Sequence, residues 1–81
     1  MSIRARYQAP QAVQELATLV RDTSRLAQED LIVMAASVDA GEQEWNWSGL
    51  VVWQALRAAA DQLELSAADV MDQVLTELGE L

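Results

Sequence analysis

Between Ser66 and Gly79 the apolar residues Ala67, Val70, Met71, Val74, Leu75 and Leu78 recur at the spacing of one helical face. At 3.6 residues per turn they form a single stripe, so this segment is predicted to be a helix that buries one side and leaves the other in water. Its ends are marked as well. Ser66 followed by Asp69 has the Ser-x-x-Asp form of a capping box, and Gly79 is suited to ending a helix.

Three more helices are predicted upstream. Pro10 suits a first helical turn, and Val13, Leu16, Ala17 and Val20 follow at i, i+3, i+4, i+7, which gives a helix from about Pro10 to about Asp22. Thr23 and Ser24 either break the chain or sit on the outside of one longer helix; a break is favoured. In the run LAQEDLIVMAASV, residues 26 to 38, Gln28, Glu29 and Asp30 are expected to face water early, while Leu31, Met34, Ala35 and Val38 make a stripe. A buried strand competes here, because a short apolar run does not separate the two by periodicity, and Met34, Ala35 and Ala36 favour the helix. Gly41 is the expected stop. Beyond the linker DAGEQEWNWSG, Ser48 is the expected N-cap of a third helix, with Leu50, Trp53, Leu56, Ala60 and Leu63 on its apolar side. Gln54, Arg57, Asp61 and Glu64 form its polar stripe, and it is expected to end near Glu64.

The expected fold is therefore all-α: one compact bundle of four helices over residues 1 to 81, closing with an αα-hairpin of the helix-turn-helix kind. Abundant Ala, Leu and Val with three Gly, one Pro and no Phe agree with this. At 81 residues a single core is only just sufficient, so a partner or a second copy is a reasonable complement to it. Residues 1 to 9, MSIRARYQA, alternate Ile3, Ala5 and Tyr7 with Arg4 and Arg6, and are expected to form a flexible arm.

Several kinds of chemistry are excluded by what the chain lacks. There is no Cys and no His, which removes disulfides, the common zinc ligands, the usual proton shuttle near neutral pH and nucleophiles activated by His. A site for a hard cation needs only oxygen ligands, but the acids are spaced along helix faces and not in a coordinating loop. No enzyme activity, cofactor or metal is expected. The longest apolar run, residues 31 to 36, is far short of a membrane span, and the expected location is cytoplasmic.

Charge is the remaining signal. Thirteen acids against five Arg give a formal charge of -8, and eight of those acids lie in residues 41 to 81 beside Arg57 alone. A field of that sign repels nucleic acid and anionic membranes and attracts basic protein surfaces.

The stretch RAAADQLELSAADVMDQV, from position 57, resembles the helix-turn-helix motif of DNA-binding regulators. Ala60 stands at the close helix contact, Leu65 and Ser66 form the turn, and Val70 locks the second helix. Two positions depart from the motif: Glu64 stands where Gly is usual, and Gln73 where a buried aliphatic is usual. The outer side chains depart further. A DNA reader needs Arg, Lys, Asn or Gln toward phosphates and bases, whereas Asp69, Asp72, Gln73, Thr76, Glu77 and Glu80 are predicted to face out. Four carboxylates over residues 69 to 80 span about 17 Å at roughly 1.5 Å per residue, a spacing of the same order as phosphates along a DNA strand, about 3.4 Å of axis.

A small, Cys-free, strongly acidic chain of this kind resembles the phage-encoded inhibitors of the anti-CRISPR and anti-restriction type, which present carboxylates where phosphates would lie. That resemblance is one of size and charge. It implies a basic, nucleic-acid-binding surface as partner, no direct nucleic acid contact, and a host-cell cytoplasmic location. The partner-binding residues expected on this reading are Asp61, Glu64, Asp69, Asp72, Glu77 and Glu80, extended by Glu42 and Glu44. The competing reading of these acids is an ordinary solvated face that keeps a small domain soluble.

Trp53 is expected in the core. Trp45 and Trp47 fall in the linker, where one is either an exposed interface anchor or part of a lid over the core. An alternative function follows: a helical assembly module or adaptor, homodimeric or not, that binds through its apolar surplus at residues 31 to 34 and through Trp45 or Trp47. A regulator that reaches DNA through Arg4 and Arg6 is a third.

Overall fold

The computed structural model describes residues 9 to 23, 26 to 43, 45 and 47 to 79, and for Thr23, Trp47 and Ser48 the description covers the backbone alone. It contains four helices: α1 (Gln11–Thr23), α2 (Gln28–Ala40), α3 (Trp47–Leu63) and α4 (Ala67–Glu77). The all-α fold and the C-terminal hairpin of α3 and α4 are as the periodicity requires, and the strand considered for residues 31 to 36 is helix.

Packing agrees with the stripe of α4. Both α3 and α4 touch all three other helices, while among the described residues α1 and α2 do not meet. Ala67, Val70, Met71, Val74 and Leu75 are each at most 1% exposed. Around them lie Val13, Leu16, Ala17 and Val20 of α1, Leu31, Met34 and Ala35 of α2, and Val52, Trp53 and Leu56 of α3. Each fully buried side chain of this size contributes about 1.5–3 kcal/mol over its exposed state. No polar or charged residue among those described is fully buried.

Several boundaries differ from the sequence reading. Ala9 is buried in the core, and its carbonyl accepts from Gln14 Nε2 at 2.7 Å, so the arm expected over residues 1 to 9 does not include it. Residues 1 to 8, with Arg4 and Arg6, lie outside the described residues. Pro10 precedes α1, where its carbonyl accepts from the N–H groups of Val13 and Gln14. A break does separate α1 from α2, though α2 starts at Gln28, two residues later than expected. Gln28 and Val38 are half-buried.

The linker is shorter than its composition suggests, because α2 runs to Ala40 and α3 begins at Trp47. Trp47 therefore belongs to a helix and not to a loop, and Ser48 is inside α3 and not at its N-cap. First-turn N–H groups need no intrahelical acceptor, so a helix can start ahead of its strongest capping residue.

The turns after α2 and α3 are of the Schellman type. After α2, Glu42 N–H donates to Ser37 O and Gly41 N–H to Val38 O, with Gly41 at φ 76°. After α3, Leu65 N–H donates to Ala60 O and Glu64 N–H to Asp61 O, with Glu64 in the left-handed position at φ 57°. This is the position where the helix-turn-helix motif usually has Gly, and the backbone there does demand what Gly supplies. Glu64→Gly is expected to raise stability by about 0.5–1 kcal/mol, since the left-handed region costs a side-chain-bearing residue roughly 1–2 kcal/mol and Gly returns part of that as chain entropy. Urea denaturation at an unchanged m-value is the check.

Candidate functional site: the acidic hairpin and its surroundings

Every acid of the hairpin that is described faces solvent. Asp61 and Glu64 are exposed at the end of α3, and Asp69, Asp72 and Glu77 along α4. The hairpin geometry brings the first three around one corner. Asp61 and Glu64 lead into the Leu65–Ser66 turn, and Asp69 sits in the first turn of the helix that follows. Asp72 is one turn further along α4 and Glu77 is its last residue. Glu80 lies outside the described residues, as does Glu44. Glu42 is exposed just after Gly41 and lines a cleft with Val33, Ser37 and Trp45. The next residue, Gln43, lines a second cleft together with Asp61 of the hairpin.

The ends of the helices sharpen this picture. A helix C-terminus carries a partial negative charge that favours Lys or Arg. Neither α2, α3 nor α4 has a basic residue in its last turn, whereas Asp39 and Asp61 lie near the ends of α2 and α3 and Glu77 ends α4. Acids there oppose the helix dipole by about 0.3–1 kcal/mol each at low salt. For Asp61 and Glu77 the helix ends themselves give no reason for this placement.

Asp39 has a compensating role that was not visible in the sequence. Its Oδ1 accepts from Ala67 N–H at 2.8 Å and its Oδ2 from Ala68 N–H at 3.1 Å. Ser66 Oγ takes the N–H of Asp69 at 3.1 Å, the half of the capping box the Ser-x-x-Asp spacing called for. Two side chains thus cap α4, one of them from 28 residues upstream. The only hint in the sequence was an acid placed two residues before the Gly41 stop, and that says nothing about which helix it meets. Asp39→Ala is expected to lower stability by about 1–2 kcal/mol, with Asp39→Asn less costly because one acceptor remains. Thermal or urea unfolding of the two variants measures the difference.

Trp53 is 2% exposed, as its position on α3 requires, and its Nε1–H donates to Ser37 Oγ at 2.9 Å. Ser37 in turn donates to the Glu42 carbonyl, so α3, α2 and the turn after α2 are tied in series. The Arg57 guanidinium lies 6.0 Å from the Trp53 ring centroid, with Gln43, Gln54 and Asp61 around the same shallow cleft. Trp45 is half-buried and packs against the core, which fits the lid of the two roles considered for it. The side chain of Trp47 lies outside the description.

Among the described residues no group of three or more His, Cys, Asp or Glu is arranged to hold a metal ion. No helix among them is long and apolar enough to cross a membrane. Comparison with protein-family models, characterised proteins and solved structures found no match to this chain.

Proposed function

We propose that the chain is a protein-binding inhibitor whose acidic hairpin occupies a basic, nucleic-acid-binding surface of a partner, in the manner of the anti-CRISPR and anti-restriction DNA mimics. The observation that carries this reading is the placement of Asp61, Glu64, Asp69, Asp72 and Glu77, all exposed on one hairpin whose helices end without a basic residue. Those carboxylates meet Arg and Lys that otherwise hold phosphates. Asp39 is spent on capping, so the hairpin acids form the centre of the contact, with Glu42 extending it.

Recognition dominated by exposed charge is screened by salt, because the Debye length shrinks from roughly 30 Å at 0.01 M to 10 Å at 0.1 M. Capture on the immobilised chain from an extract, followed by titration of the retained protein, tests this. Affinity is expected to fall at least about tenfold over a tenfold rise in ionic strength; an affinity that does not change over that range rules the reading out.

A further inference from the structure

A second surface is centred on α2 and meets the hairpin only at Ala68, Met71 and Asp72. Leu31, Met34 and Ala35 point into the core, but Ile32 and Val33 on the opposite side are 50% and 59% exposed, and Ala36 is exposed with them. These are the two most exposed large aliphatic side chains among the described residues. Folding gains nothing from them: β-branched residues are only moderate helix formers, and Lys, Glu or Gln would suit a solvated helical position better. Each borders a shallow depression. Ile32 lines one with Ala68, Met71 and Asp72 of α4, and Val33 lines another, of about 210 Å³, with Ser37, Glu42 and Trp45. An apolar ridge is thus flanked on either side by a depression that carries one carboxylate.

The charges around the ridge decide what fits it. Glu29 and Asp30 stand exposed at the start of α2, and Asp39 and Glu42 at its end. A second copy laid antiparallel would set Glu29 and Asp30 against the other copy's Asp39 and Glu42, and laid parallel would set each acid against itself. Like charges meet either way. An anionic membrane is repelled for the same reason. Cationic side chains flanking an apolar stripe satisfy both the ridge and its rim, and residues 29 to 40 run about 17 Å at roughly 1.5 Å per residue, the length of three helical turns.

We propose that the outer face of α2 docks an amphipathic helix of a partner protein, with its apolar side chains on Ile32, Val33 and Ala36 and its Lys or Arg toward Asp72 and Glu42. The proposal shares Asp72 with the hairpin reading but stands on Ile32 and Val33, and substitutions at those two residues separate its failure from that of the hairpin reading.

The test titrates the ¹⁵N-labelled full chain with a synthetic 18-residue helical peptide that has Leu on one face and Lys on its flanks, and with the same peptide carrying Glu for Lys. The Lys peptide is expected to bind at least about tenfold more tightly than the Glu peptide and to shift the amides of residues 29 to 37 and of Ala68. Ile32→Ser with Val33→Ser is expected to weaken binding at least about tenfold while circular dichroism stays helical. Should that pair lose helicity, Val33→Lys, a better helix former at the more exposed position, tests the same contact. Three results overturn the proposal: equal binding of both peptides, shifts confined to residues 61 to 77 and indifferent to the α2 variants, or a dimer in sedimentation that Val33→Lys dissociates.

Discussion

Leu75→Ala is expected to destabilise the fold by about 2–5 kcal/mol, the cost of deleting a fully buried leucine and leaving a cavity that relaxes only in part. Leu75 is 1% exposed on a helix packed against all three others, so no single neighbour can move in without pulling away from another. A domain of 81 residues has roughly 4–12 kcal/mol in all. The substitution thus removes a large share, and in a domain this small it lowers the Tm by about 10–25 °C. Thermal unfolding followed by circular dichroism reads this directly, with Ile32→Ala as control. Ile32 is 50% exposed, so its truncation is expected to stay within about 0.5 kcal/mol.

The second large effect separates stability from binding by sign. Asp61 lies in the last turn of α3 and Glu77 ends α4, both at the negative end of their helix. Replacing both by Lys reverses two unfavourable dipole contacts, while a Lys at position 61 opposes Arg57 one turn earlier, so the net gain is expected to be about 0.5–2 kcal/mol in total at low salt. If these acids form the contact with a basic partner, the same pair of changes lowers affinity at least about tenfold, largely through slower association. Acids kept only for solubility predict the first effect without the second. Asp69→Lys is the internal contrast, because Asp69 lies in the first turn of α4, where an acid is favourable; reversing it is expected to cost both stability and affinity.

Much of the fold was legible because periodicity is a local signal. The stripes of α1, α3 and α4, the Ser66 cap and the Gly41 and Gly79 stops each depend on residues within a turn or two of one another, and the structure has them where the sequence implied. What escaped depends on distance or on tertiary choice. Asp39 caps a helix 28 residues downstream, and no pattern in the sequence links them. The turn after α3 falls where the sequence implies, but that Glu64 takes the left-handed position normally given to Gly is visible only in the backbone. Ala9 joined the core although the alternation before it suggested a free arm. The helical stripe at residues 31 to 38 leaves Ile32 and Val33 off the buried face, but how far they stand in solvent, 50% and 59%, depends on what α4 and the turn after α2 cover.

Of the candidate site, the acids could be listed from the sequence because the buried face of α4 leaves few directions for the rest. The neighbours of Glu42 could not: the turn after α2 puts it beside Val33 and Trp45, while Gln43 next to it shares a cleft with Asp61. The absence of bases from the helix ends became meaningful only once those ends were fixed.

The hairpin reading requires that the partner cannot hold the chain and nucleic acid at once. The direct measurement is competition on the captured partner at fixed ionic strength, with labelled duplex DNA and increasing amounts of this chain, followed by sedimentation of the mixture. Stoichiometric release of the DNA with no ternary species is the expected result. A ternary complex in which DNA and this chain sit together on the partner would contradict it.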